Sequence, residues 1–262
     1  MDFRHHFGPW ALVAGASEGL GAAWAHALAK RGLNLVLVAR REGPLGEVAS
    51  ALRERHGVEV QPVTCDLATP KVWETLAPAL DDREVCLYVH NAAFAPHGDF
   101  LERPVDDALT SVAVSCRAPV LLAHHLGKRM AQRGRGGVIL MSSLTAFQGT
   151  PLLTAYGAAK AFNLTFAEGL NAELKPRGVA VLACCAGATR TPGFERSSPD
   201  GAPGLLEPEQ VVEAALAQLG RHAIVIPGAF NRFASFFMRR LLPRTAAVNL
   251  LAAQAKKLRQ LP

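Results

Sequence analysis

The chain has 262 residues, half of them hydrophobic, and a formal charge of +6. That length and apolar share suit one large buried core in a single α/β domain over 1–262, and no apolar run reaches the about 18 residues that cross a bilayer. The positive charge is confined to the end. Beyond Glu213 come Arg221, Arg232, Arg239, Arg240, Arg244, Lys256, Lys257 and Arg259 with no acid, which leaves −2 for everything before them, and the basic residues are not interleaved with stacking aromatics as nucleic-acid binding requires.

In chain order, the start "MDFRHHFGPW" lacks the apolar stretch of a secretory signal, so a cytoplasmic location is expected. Short apolar runs then alternate with helical patterns. Strands are predicted over 10–15, 33–40, 58–63, 85–90, 136–142, 179–185 and 222–228, and helices over 19–31, 43–56, 69–81, 105–133 and 154–175, the last stopped by Pro176 and Gly178. Continuous apolar strands separated by helices mean strands covered on both faces, hence a doubly wound parallel sheet of about seven strands, a Rossmann-like α/β fold. The stretch 187–206, "GATRTPGFERSSPDGAPGLL", breaks every periodicity and is expected to be a loop over the substrate. Phe194, Leu205 and Leu206 would form its apolar wall. From Phe230 to Leu241 a helical face carries Phe230, Phe233, Ala234, Phe237, Met238 and Leu241, expected to pack on the core or on a second subunit. A second amphipathic pattern from about Thr245 carries Val248, Leu251, Ala255 and Leu258. A sharper reading makes this basic, aromatic tail, 229–262, a cover beside a hydrophobic substrate that touches a membrane surface or an acidic carrier. Cys65, Cys86, Cys116, Cys184 and Cys185 form no C-x-x-C pair and the histidines no H-E-x-x-H helix, so no metal is expected.

Three short stretches carry chemistry. The first predicted strand runs into "AGASEGLG", where Gly15, Gly19 and Gly21 let the backbone turn tightly and leave helix N-terminal amides open to a pyrophosphate. Methyltransferases use similar turns, and close helix-on-strand packing alone also wants glycine. At the end of the second strand, "VARRE" presents Arg40 and Arg41 where a carboxylate would select NAD; a guanidinium instead suits a 2′-phosphate, which points to NADP(H) with Arg40 the favoured ligand and Arg41 either a second ligand or a solvent-facing charge. In "TAYGAAK", Tyr156 and Lys160 stand one helical turn apart on one face, and so can act on one substrate atom. Such a pair also occurs by chance on solvated helices. An ammonium about 4 Å from a phenol stabilises the phenolate by roughly 4 kcal/mol at an effective dielectric of 20, about three pKa units before solvent screening. The expectation is therefore a phenol brought down toward neutrality to exchange a proton with a carbonyl oxygen.

Taken together, these stretches resemble the short-chain dehydrogenase/reductase family along nearly the whole chain. The resemblance implies a nicotinamide-dependent oxidoreductase, with Tyr156 and Lys160 answering the family's Y-x-x-x-K and Ser143, thirteen residues upstream of the tyrosine, orienting the substrate oxygen. Ser142 is the fallback should the register slip by one, and strand-end capping is the other use of a serine here. Ser115 in "VSCRAP" falls where the family carries an asparagine of a proton relay. The cofactor set implied is Gly15, Ser17, Glu18, Gly19, Leu20, Gly21, Arg40, Arg41, Asp66, Leu67, Asn91, Ala92, Tyr156, Lys160, Gly187, Thr189 and Thr191. Departures are Ala14 for the usual threonine, His90 and Ala93 within N-N-A-G, and Ala186 for proline. The expected reaction is NADPH-dependent reduction of a hydrophobic ketone or aldehyde, or the reverse alcohol oxidation, by a homodimer or homotetramer. The alternatives are a 3-oxoacyl thioester reductase and a non-catalytic NADP-binding regulator or scaffold.

Overall fold

The apolar runs become strands β1 (Trp10–Ala14), β2 (Asn34–Ala39), β3 (Val60–Thr64), β4 (Val85–His90), β5 (Gly136–Ser143), β6 (Val179–Ala186) and β7 (Ile224–Val225) in a computed structural model that describes residues 2–197 and 201–259. They form one parallel sheet in the order β3-β2-β1-β4-β5-β6-β7. Side chains alternate across it. Val13, Leu35 and Leu37 join Trp24, Leu28, Leu45 and Val211 in one core layer, while Leu12, Val36 and Val38 join Leu76, Leu122, Leu126 and Ala167 in the other. Both faces are thus covered, as a parallel sheet requires. The strand order reverses between β1 and β4, and the crevice at their carboxyl ends is where such sheets bind ligands.

The helices are α1 (Phe3–Phe7), α2 (Gly19–Lys30), α3 (Glu42–His56), α4 (Val72–Leu80), α5 (Val105–Val112), α6 (Ala118–Arg133), α7 (Thr154–Leu174), α8 (Pro192–Ser197), α9 (Pro208–Gln218), α10 (Ala229–Arg240) and α11 (Arg244–Arg259). Several departures from the sequence pattern have local causes. The helix expected from 69 begins at Val72, because the Thr69 hydroxyl accepts the Lys71 amide and holds a turn there. The long helix over 105–133 is divided by a π turn, Ala113–Arg117. The seventh strand shrinks to two residues, since it lies at the sheet edge with β6 alone to pair with and Pro227 just beyond it. Short α1 has no strong periodicity to announce it; the Asp2 carboxylate caps the Arg4 amide and Phe7 is buried.

The largest correction concerns α10. Of the two packings expected for its aromatic face, the one on the core is not seen: Phe230 is 54% exposed and Phe233 69%, while Asn231 and Ser235 on the opposite side are buried. The cause is a polar anchor. The Asn231 amide donates to the carbonyls of Gly204 (3.1 Å) and Pro227 (3.2 Å), which fixes the helix with its rings outward. On α11, Ala247 is buried and Val248 and Leu251 are half-buried; the side chains of Ala255 and Leu258 lie outside the described residues, as do 198–200 of the expected substrate loop.

Candidate active site

The turn after β1 is built as the glycines predict. Gly15 has φ +86 and Gly19 φ +54, both left-handed, and a Cβ on Gly21 would stand 1.8 Å from the Gly15 carbonyl oxygen. The Glu18 side chain does not cap the start of α2, and the first amides of a helix have no partner within it. The far wall is tied to this turn: the Asn91 side chain donates to the Gly15 carbonyl at 2.9 Å, and the Asn91 and Ala92 amides both donate to Ala14 at 2.9 and 2.8 Å. On the near side, a Cβ on Gly19 would lie 3.0 Å from Thr191. Thr191 accepts the Phe194 amide and Thr189 donates to the Gly187 carbonyl. The glycine-rich turn is thus flanked by Asn91 and Ala92 on one side and by Thr191 on the other.

At the carboxyl ends of β2 and β3, Arg40, Arg41 and Asp66 are exposed and Leu67 is buried. Glu18 turns its carboxylate to Arg41 at 2.9 Å and to Arg196 at 3.7 Å. Arg41 thereby meets the glycine-rich turn while its side chain stays exposed. Asp66 accepts the Ala68 amide at 2.9 Å, an arrangement that fixes the loop after β3. Ser17 and Leu20 are half-buried, Leu20 packing on the core.

The reacting groups converge at the end of β5. Ser143 is its last residue; its hydroxyl accepts the Thr145 amide at 3.2 Å and is near enough to Tyr156 to pull the phenol's pKa down slightly. Ser142 is buried and donates to the Lys160 carbonyl, so it belongs to the scaffold and Ser143 to the cleft. Lys160 is buried; its Nζ donates to the Met141 carbonyl at 2.7 Å and lies 5.4 Å from the centre of the Tyr156 ring. The electrostatics differ from expectation. Burial pushes the Tyr156 phenol up, against a smaller downward pull from the Ser143 hydrogen bond, because loss of hydration penalises the phenolate more than its neighbours favour it. Burial likewise brings Lys160 down to about 8, with smaller opposing effects from Cys116, Cys184 and Cys185.

Behind this group lies a polar layer that the motifs do not reveal. His90 is fully buried at the end of β4, its Nδ1 2.7 Å from the Tyr88 hydroxyl and its Nε2 2.9 Å from the Val114 carbonyl. A carbonyl can only accept, so Nε2 carries the proton and Tyr88 donates to Nδ1. Burial first, and the Lys160 charge second, bring His90 down to about 3, so the ring is neutral. Val114 belongs to the π turn, whose wider winding offers a carbonyl to an outside donor. Ser115 is in the same turn, buried, and its hydroxyl has no partner among the described residues. Leaving such a group unpaired costs roughly 1–3 kcal/mol.

A separate apolar pocket of about 250 Å³ lies between the β4–α5 connection and the start of α7, bordered by Phe100, Leu101, Val105, Leu152 and Ala155. Ser143, Tyr156 and Lys160 are not among its lining, so it is not the reaction cleft.

Comparison with known proteins bears on the family and the fold. The family model described as short chain dehydrogenase matches residues 9–201. A 7beta-hydroxysteroid dehydrogenase of Collinsella aerofaciens is 32% identical over 238 residues, covering 88% of this chain and 90% of its own. A solved structure from a study of 7beta-hydroxysteroid dehydrogenase stereoselectivity superposes with a TM-score of 0.91 at 30% identity, over 96% of this chain and all of that one. A short-chain dehydrogenase from Sphingobium yanoikuyae in complex with NADPH gives a TM-score of 0.75 at 29% identity, covering 97% and 96%.

Proposed function

The chain belongs to the short-chain dehydrogenase family and is an oxidoreductase, and from that premise we propose that it reduces a bulky, apolar ketone with NADPH, or oxidises the matching alcohol. The observation that carries the reading is the buried Lys160, which lies 5.4 Å from the Tyr156 ring centre and is bonded to Met141 on the strand that ends in Ser143. NADPH, when bound, supplies the hydride. Gly15, Gly19, Gly21 and the first amides of α2 would hold its pyrophosphate; Asn91, Ala92, Gly187, Thr189 and Thr191 would line the nicotinamide half. Arg40, with Arg41 steadied by Glu18, would meet the 2′-phosphate, and Ser17, Leu20, Asp66 and Leu67 would shape the adenine end.

Ser143 orients the carbonyl oxygen and Tyr156 gives it a proton as negative charge develops. A phenol held up by burial keeps its proton until that moment, which favours reduction at neutral pH. Lys160 lies within 5.4 Å of the ring centre and restores the charge balance when the phenolate forms, while Ser115 supports proton supply behind it. Similarity to hydroxysteroid dehydrogenases supports a steroid-sized substrate, with Phe194, Leu205 and Leu206 on the 187–206 side of the cleft. The basic tail favours a second reading, a 3-oxoacyl thioester as substrate. Two copies would pair through the exposed apolar residues of α5 to α7, Leu109, Val112, Val120 and Phe162. The test is NADPH oxidation over ketosteroids, other bulky ketones and 3-oxoacyl thioesters, with NADH in parallel. Turnover of a bulky ketone with NADPH is expected; inactivity on all three classes rejects the reading.

A further inference from the structure

The strongest anomaly in the molecule is Asn163. It is fully buried, and neither its amide nitrogen nor its oxygen has a partner among the described residues. Tyr156, Lys160, Asn163 and Ala167 stand at i, i+4, i+7 and i+11, so the carboxamide lies on the same face of α7 as the reacting groups, one turn beyond the lysine. That helix packs on α5 and on the π turn, whose buried Ser111 and Ser115 hydroxyls are i, i+4 neighbours and also have no partner among the described residues. Three buried polar side chains on facing segments, none satisfied by protein, imply small polar guests, since buried polar groups are paired with protein or with ordered water.

We infer that Asn163 is a positioning residue of the reaction: with the Ser111 and Ser115 hydroxyls it binds water between the π turn and α7, and that water passes protons to and from the Lys160 ammonium. The inference rests on the reductase reading given above. Geometry limits the other routes. Lys160 is bonded to Met141 on the sheet side, and the groups that face it from the packed elements are Tyr156 on its own helix, His90 on β4, Cys116 in the π turn, and Cys184 and Cys185 on β6. The thiols are held protonated by burial. His90 is committed on both nitrogens, to Tyr88 and to Val114. It fixes the π turn but has no hydrogen-bonding site left for a relay. A carboxamide can accept from one water and donate to the next, which suits it to hold a short file in register.

Two arms test this. A high-resolution crystal structure of the parent is expected to show water within hydrogen-bond reach of the Asn163 carboxamide and of Ser115; a dry carboxamide, or one paired only with protein groups, overturns the inference without any assay. Single-turnover ketone reduction is then compared in the parent, Asn163→Leu and Asn163→Ser. The leucine is expected to slow the step at least about tenfold, a fraction of the roughly 10²–10⁴-fold that general acid–base catalysis contributes. Its solvent isotope effect should rise and its pH profile move, while KM and NADPH affinity stay within about twofold. Serine, which keeps a hydroxyl and leaves room for one more water, should recover most of the rate. A leucine variant with the parent's rate, pH profile and isotope effect makes Asn163 structural only and leaves the reductase reading intact. A parent inactive on every carbonyl sinks that reading itself, and with it any role for Asn163 in the reaction.

Discussion

The Lys160 ammonium donates to the carbonyl of Met141 at 2.7 Å, two residues before Ser143 on the same strand. The lysine is therefore fastened to the element that carries the orienting hydroxyl, and the Tyr156 ring lies between them on α7. Tyr156→Phe is expected to lower kcat/KM at least about 10²-fold, the lower end of a general acid contribution. NADPH affinity, followed by fluorescence titration, should stay within about twofold. Lys160→Met is expected to lose turnover as well, and comparable rates in either variant and the parent would remove both from the chemistry.

Acid sensitivity should trace to His90. The unfolded chain takes up a proton here near the ordinary 6.5, whereas the buried ring resists protonation until about 3. Between those values the unfolded state binds more protons, so stability is lost as pH falls through this window. Urea denaturation at pH 7, 5.5 and 4.5 should show the parent losing stability faster than His90→Asn. A parent-minus-variant difference that does not change with pH contradicts the buried neutral ring.

Cofactor choice should respond to the arginines after β2. Arg40→Ala is expected to weaken NADPH binding about tenfold or more, the worth of a charged hydrogen bond at roughly 1.5–3 kcal/mol, and to leave NADH binding unchanged. Glu18→Gln frees Arg41 from its 2.9 Å ion pair and should weaken NADPH binding by a smaller factor. Equal losses for NADPH and NADH in Arg40→Ala would place the arginine away from the 2′-phosphate.

The orientation of α10 makes opposite demands on its two sides. Asn231→Leu removes the donor shared by Gly204 and Pro227 and presses a larger branch against Gly187 and Gly204, so a loss of about 1–3 kcal/mol is expected. The double variant Phe233→Ser/Phe236→Ser touches exposed rings and should stay within about 0.5 kcal/mol as a monomer. Thermal unfolding at low protein concentration separates the two, and a reversed ranking would mean the rings face inward.

Strands, glycine turn and the Tyr156–Lys160 pair were legible because each is written locally: continuous apolar runs, the Gly15/Gly19/Gly21 spacing, and one helical turn between Tyr156 and Lys160. The rest depended on partners distant in sequence. His90 is visible as a substitution, yet its meaning depends on Val114, which belongs to a π turn that no periodicity announces. Asn163 hides among alanines and phenylalanines; its spacing of seven from Tyr156 was the available signal. For α10 the pattern gave an apolar face but not its direction, which the Asn231 acceptors decide from another part of the chain. The Tyr156 phenol moved opposite to expectation because spacing reports a neighbouring charge and not the dryness around it.

The Ala14 carbonyl, which receives two amides from beyond β4, has a mechanical consequence. Rivets at adjoining residues make the floor of the crevice and its far wall one stiff piece. Accommodation of ligands of different girth must then come from the opposite bank, where the Thr191 side chain comes up to Gly19 and Arg196 reaches Glu18 at 3.7 Å. Breadth of substrate choice is in this way separated from fidelity of nucleotide placement, and sequence changes at Phe194, Leu205 and Leu206 alter the former with less disturbance of the latter than changes at Gly187, Thr189 or Thr191.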